Sequence, residues 1–215
     1  MGSKLRSMAA AVLVVATSAA CASGARSTGT GAPGSRALVP QAAAPKASPA
    51  DVQFLSGMIH HHAQAIVMSE WSATHGASQQ IRVLSERIIV SQRDEIKMMQ
   101  QWLREHGEPA PEPSPRGQRM VMGGTEHHML MAGMLTEEQM AQLDRARGTE
   151  FDRLFLAFMI QHHRGAQKMV EELFAAHGGG VDDLIYKIAS DTFADQGSEI
   201  DRMQRMLDAM GASGR

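Results

Sequence analysis

One passage of this chain is written twice, and that repetition restricts the fold more than any other feature. Asp51 to Met68 reads DVQFLSGMIHHHAQAIVM, and Asp152 to Met169 reads DRLFLAFMIQHHRGAQKM. At a constant offset, Asp51, Phe54, Leu55, Met58, Ile59, His61, His62, Ala65 and Met68 match Asp152, Phe155, Leu156, Met159, Ile160, His162, His163, Ala166 and Met169. A second segment follows each copy. Gln92, Glu95, Ile96, Met99 and Leu103 line up with Gln196, Glu199, Ile200, Met203 and Leu207. The chain therefore reads as two repeats of one unit joined by a connector.

The spacing within each segment is helical. Phe54, Met58, His61, Ala65 and Met68 recur at intervals of four and three, and so do their counterparts in the second copy. Ile88, Gln92, Glu95, Met99 and Trp102 share one face of the next segment; Thr192, Gln196, Glu199, Met203, Met206 and Met210 share one face of the last. Pro49 and Asp51 suit a first helical turn, and Gly76, Gly107 and Gly178 suit helix stops. Four amphipathic helices in antiparallel pairs predict an all-α, antiparallel four-helix bundle over 50–211, built of two repeated hairpins. Repeat one covers 51–107, a connector 108–149, and repeat two 150–211. The start of the connector is rich in Pro, Gly and charge and reads as loop. Further on it holds Met120, Met122, Met129, Met131, Met134 and Met140 with the pair His127-His128. Thr136 before Glu137, Glu138 and Gln139 reads as a helix start running toward Arg147 and into the third helix.

Polar residues fall where a bundle interior should be apolar. His61, Gln92, Glu95, His162, Gln196 and Glu199 all lie on inward faces, and burying such groups is costly unless they are paired. Two readings follow. In one, histidine–glutamate hydrogen bonds fix helix register. In the other, the groups hold a metal. Seventeen methionines bear on the choice, because thioether is a soft ligand as well as a core filler. Met58, Met68 and Met99 flank His61, and Met159, Met169 and Met203 flank His162. Thioether with imidazole suits copper in the cuprous state. An iron or manganese pair would use Glu95, Glu199, His61 and His162. The ferritin-type site, however, needs four carboxylates, two of them in Glu-x-x-His motifs, which this chain lacks. His62 and His163 fall about 100° round the helix from the stripe, at the opening of the site or facing a neighbouring helix or water. His60, opposite Gln161 in the second copy, reads as a surface residue. His75, His106 and His177 suit helix ends, where imidazole meets the dipole favourably. The connector methionines read either as an apolar cover or as a soft-metal capture segment with His127 and His128. No nucleophile elbow, phosphate loop or HExxH motif is present, so a metal-dependent redox enzyme is a lesser alternative to a binding or structural role.

The amino terminus carries an export signal. Lys4 and Arg6 precede an apolar run from Met8 to Ala20 that is too short to span a bilayer. It ends Ser18-Ala19-Ala20-Cys21, which resembles a bacterial lipobox and implies cleavage before Cys21 and lipidation of its sulfur. Ser18 stands where the lipobox usually has Leu, and plain secretion is the alternative. Residues 22–49 are Ala, Gly, Ser and Pro with little to bury. They read as a tether spanning roughly 30 Å. The implied location is the outer face of a cell membrane, held only by lipid, or the periplasm or exterior. Cys21 is the single cysteine, which excludes a cysteine-rich zinc site. A net charge of −2 gives no footprint for nucleic acid. A homodimer is left open.

The doubled FLxxMIxHHxxA pattern followed by QxxEIxxM, and the stretch MAGMLTEEQM at 131–140, resemble the bacterial domain-of-unknown-function family 305 over about 50–211. The resemblance implies a four-helix bundle of the ferritin-like superfamily, a place in the cell envelope, and, for some members, a link to copper handling.

Overall fold

The computed structural model describes residues 47–213. The export segment expected at 1–21, with Cys21, and the tether as far as residue 46 lie outside the described residues. The elements run α1 (Pro49–Glu70), α2 (Gln79–Glu105), β1 (Gln118–Met122), β2 (Thr125–Met129), α3 (Glu137–Arg145), α4 (Gly148–Ala175) and α5 (Asp183–Ser213). The chain is mostly helical, as its periodicity predicts. Among the described residues no helix is long and apolar enough to cross a membrane.

Two departures from expectation lie in the connector. Its middle is an antiparallel hairpin, not part of an all-α chain. Gly123 and Gly124 both take positive φ, 59° and 81°, between the closing pair Met122 and Thr125. Two such residues match the twist of the flanking strands, so a Gly-Gly pair favours a tight hairpin. The helix that starts after Thr136 does form, with a capping box between Thr136 and Gln139, but it does not run into α4. Ala146 and Arg147 are extended, and Gly148 turns the chain at φ 57°, its N–H donating to the His75 carbonyl at 2.8 Å.

The long helices form two pairs, α1 with α2 and α4 with α5, which meet where α1 packs on α4. Two matched aspartates fasten each pair to the other. Asp51, in the first turn of α1, accepts from the Gly180 N–H at 2.7 Å, in the turn between α4 and α5. Asp152, in the first turn of α4, accepts from the Ser78 N–H at 3.1 Å, before α2. Ser78 in turn caps α2.

The apolar interior is divided. One cluster holds Phe54, Met58 and Ile59 of α1, Ile96 and Met99 of α2, and Ala166, Met169 and Val170 of α4. The other holds Met68 of α1, Ile81, Leu84 and Ile88 of α2, Phe155 and Met159 of α4, and Met203 of α5. In chain order the histidines of α1 and α4, and the Gln and Glu of α2 and α5, fall between residues of the two clusters. A polar layer thus crosses the middle of an otherwise apolar interior.

Candidate functional site

That layer contains all four repeated histidines. His61, His62, His162 and His163 are each fully buried. The His61 and His162 rings, from α1 and α4, approach with centroids 3.7 Å apart and planes tilted by 41°. His62 and His163 point the other way, toward α2 and α5. The His62 Nε2 donates to Glu95 Oε2 at 2.5 Å, and the His163 Nε2 donates to Glu199 Oε2 at 2.7 Å. The glutamates are therefore partnered by the second histidine of each pair, not by His61 and His162. Neither His62 nor His163 meets water, because the helices bearing the glutamates close over them.

The connector covers the opposite side. Residues 131–135 cross the junction of α1 and α4, and the His61 Nε2 donates to the Ala132 carbonyl at 3.0 Å. Gln64 holds the same strap. Its Nε2 donates to the Leu135 and Pro115 carbonyls, and its Oε1 accepts from the Leu135 N–H at 2.6 Å. On α4 the strap comes closer still. A Cβ added to Gly165 would lie 2.0 Å from the Ala132 oxygen, so only glycine fits there.

Hydrogen bonding leaves an imbalance in this layer. His61, His62 and His163 each use Nε2 as a donor, and in each the Nδ1 atom is buried without a partner among the described residues. In His162 neither ring nitrogen has a partner at full hydrogen-bonding geometry, although the His61 backbone lies close enough to favour its protonated form. Burial in the apolar interior, and then the neighbouring His62, push the His61 pKa down to about 3. Burial, with His61 and His163 next, also holds His162 well below its ordinary value. Both rings are neutral, and a neutral imidazole that donates through Nε2 carries a lone pair on Nδ1. Unpartnered buried polar atoms are rare and costly, yet several are collected here.

A cleft of about 130 Å³ opens between α2 and α5 on the glutamate side, lined by Gln92, Glu95, Thr192, Asp195, Gln196 and Glu199 among others. Burial raises the Glu95 pKa, but hydrogen bonds from His62 and Ser91 outweigh it, and the net value is lowered. Asp195 is raised by burial and by Glu95, Asp191 and Glu199. Among the described residues no three His, Cys, Asp or Glu side chains group closely enough to hold an ion by themselves. The methionines named from the sequence flank the layer, Met58, Met99 and Met169 in one apolar cluster and Met68, Met159 and Met203 in the other.

Other histidines fall differently from expectation. His60 is buried, not on the surface, because the connector folds over α1 and the Ser114 N–H donates to its Nδ1 at 3.2 Å. His75 does more than end a helix. It is buried between the Trp71 and Phe151 rings, and its Nε2 meets the Asp144 carbonyl oxygen at 2.9 Å. His106 caps α2 and stacks on Trp102, and His177 is exposed. The roles of Gln64, Gly165 and the Ala132 carbonyl had no signal in periodicity, since each depends on where the connector crosses.

The chain belongs to the family described as Domain of unknown function (DUF305), which matches residues 51–207. A DUF305 fragment from Deinococcus radiodurans is 29% identical with a TM-score of 0.63, covering 77% of this chain and 99% of that one. A DUF305 protein from Streptomyces coelicolor, described as secreted, is 28% identical with a TM-score of 0.63, covering 75% and 94%. CopM in its Cu(II)-bound form is 26% identical with a TM-score of 0.58, covering 74% and 96%, and CopM has also been solved with Cu(I) and with Ag. A stretch of 49 residues is 45% identical to the uncharacterized protein L153 of Acanthamoeba polyphaga mimivirus; it covers 23% of this chain and 32%, about a third, of that relative's length.

Proposed function

We propose that this chain is an exported metal-binding protein whose cargo is copper in the cuprous state, held between α1 and α4. The observation that carries the reading is the set of buried histidine Nδ1 atoms with no hydrogen-bond partner among the described residues. A metal-ligating histidine typically donates its other ring N–H to a carboxylate or a carbonyl. His61 does so to Ala132, His62 to Glu95 and His163 to Glu199. His61 and His162 are the principal ligands in this reading, with His62 and His163 beside them and Glu95 and Glu199 as orienting partners. Since acidic and histidine side chains alone do not form a closed group, thioethers complete the donor set, from Met58 and Met99 on one side and Met159 and Met203 on the other. Imidazole with thioether selects a soft ion. The likeness to CopM, solved with copper and silver, supports the same ion class. An iron or manganese pair has less support, because Glu95 and Glu199 are each engaged by a histidine and, among the described residues, no three His, Cys, Asp or Glu side chains group closely enough to hold an ion.

The wider reading is a protein of the cell envelope. The lipobox-like end at Cys21, the tether and the secreted relative support a domain held outside the cytoplasm. The four long helices then serve as a bundle of the ferritin-like kind. A structural lipoprotein with a hydrogen-bonded core is the second reading, favoured by the paired His62–Glu95 and His163–Glu199 bonds, but it leaves the Nδ1 atoms unexplained.

The test is an anaerobic Cu(I) titration of the full chain against a coloured competing chelator, beside a His61→Ala/His162→Ala variant whose thermal melt confirms folding. The wild type removes copper from the chelator and the variant does not. Equal binding by both would move the site out of the core. Binding by neither would end the copper reading.

A further inference from the structure

The β1–β2 hairpin takes no part in the core site. Every residue of both strands is exposed, including Met120, Met122 and Met129 at 36%, 59% and 45%. A lone two-stranded ribbon is marginally stable in water, and a cluster of exposed apolar side chains on one needs a reason.

The register supplies one. Met120 pairs with His127, Met122 with Thr125, and Gln118 with Met129. Directly opposed residues share a face, and so do residues two apart on one strand. Met120, Met122, His127 and Met129 therefore lie on the same face, with His127 opposite Met120 and diagonal to Met122. Opposed Cβ atoms are about 5 Å apart and diagonal ones about 7–8 Å, which long, flexible methionine side chains can close. The other face carries the charge: Arg119 pairs with Glu126 at 3.4 Å, and His128 with Glu126 at 3.5 Å. Among the described residues the His127 side chain makes no hydrogen bond or ion pair, in contrast to that of His128.

We propose that this hairpin face is a second soft-cation site, in which Met120, Met122, Met129 and His127 hold one Cu(I) at the surface before it passes to the core. The identity of the cargo rests on the function proposed above. The chemistry of the face is selective by itself, because three thioethers and an imidazole without a carboxylate offer nothing to a hard dication. The face also leads inward. Met129 lines a cavity of about 230 Å³ together with Met131, Met169 and Gly57. At Gly57, one helical turn before His61, Met131 Cγ and Met169 Cε both come within 3.3 Å of where a Cβ would stand. Met131 directly precedes Ala132, whose carbonyl holds His61. Copper can move along this line by exchanging one thioether for the next, with no change of oxidation state.

The experiment uses the full chain labelled with methyl-13C methionine and titrated anaerobically with Cu(I)-acetonitrile. Once the core is filled, further Cu(I) should shift the Met120, Met122 and Met129 methyl resonances and leave that of Met98, exposed on α2, in place. The same shifts should persist in the His61→Ala/His162→Ala variant. A Met120→Leu/Met122→Leu/Met129→Leu variant, close in volume, should lose them and fill the core at least about tenfold more slowly, a rate read from the Met58 and Met159 methyls. Unchanged Thr125 and Glu126 amide resonances would show that its hairpin persists. If the three hairpin methyls move no more than Met98 while Met58 and Met159 shift, the hairpin site is overturned and the core reading stands. If the triple variant fills the core at the wild-type rate, the hairpin is not the entry. If the hairpin methyls shift and the core methyls never do, the core reading falls instead.

Discussion

α1 and α4 agree on one side and differ on the other. Toward α2 and α5 they present matching residues in matching roles, His62 on Glu95 and His163 on Glu199. Toward the connector they diverge. His60 of α1 accepts from the Ser114 N–H, whereas Gln161 in the corresponding place bonds Gln139 and the Gly133 carbonyl. Gln64 grips the strap through side-chain hydrogen bonds, whereas Gly165 admits it to backbone contact. A single connector cannot treat two matching helices alike. It lies on one as a bonded edge and on the other as a close approach. The central pair inherits this asymmetry: the His61 ring is anchored by the Ala132 carbonyl, and no part of the connector bonds the His162 ring among the described residues.

Among single substitutions the largest expected effect comes from the close approach. Gly165→Ala should destabilise the metal-free chain by about 3 kcal/mol, the upper end for overpacking, read as a lower urea midpoint. A neutral result would mean that the strap does not rest on α4 as described. On the other helix, Gln64→Leu leaves the buried Leu135 N–H without its acceptor. It should cost about 2 kcal/mol, while Gln161→Ala, in a half-buried position, should cost less than about 1 kcal/mol.

On the matching side the two halves should behave alike. Glu95→Gln and Glu199→Gln should each weaken Cu(I) binding by roughly tenfold or somewhat more, the usual cost of losing a carboxylate behind a ligating histidine. A large effect from one and none from the other would show that copper sits nearer one half. The acid response of the metal-free chain is a graded test. Folded His61 and His162 stay neutral well below the pH at which the unfolded chain takes up protons, near 6.5. Their contribution is therefore complete above about pH 6.5 and is lost as the pH falls below it, for His61 down to about 3, at roughly 1 kcal/mol per pH unit for each ring. Urea midpoints across that range should show the slope, and a His61→Leu/His162→Leu variant should flatten it.

Much of this is legible in the sequence. The helical faces through Phe54, Met58, His61 and Met68, and through Phe155, Met159, His162 and Met169, are buried as their period requires. The burial of Gln92 and Gln196 follows from the same period. The choice of histidine was not legible. A step of about 100° separates His61 from His62, and only the placement of α2 and α5 decides which of them meets a glutamate. His60 read as surface because periodicity describes one helix and not the segment that crosses it. The hairpin had a local sign in Gly123-Gly124, but the surrounding methionines do not alternate strongly enough to declare strands. The cleft between α2 and α5 likewise depends on packing between elements far apart in the chain.

The central claim is that buried Nδ1 lone pairs receive the metal, and imidazole 15N NMR tests it most directly. Spectra of the full chain would be recorded without metal and with enough Cu(I) to saturate it. In the metal-free protein His61 should show protonated Nε2 and unprotonated Nδ1. On loading, the Nδ1 resonances of His61 and His162 should shift together while the His61 Nε2–H to Ala132 persists. Copper bound with all four core imidazoles unchanged would contradict the account, and would make the layer a hydrogen-bonded device for helix register.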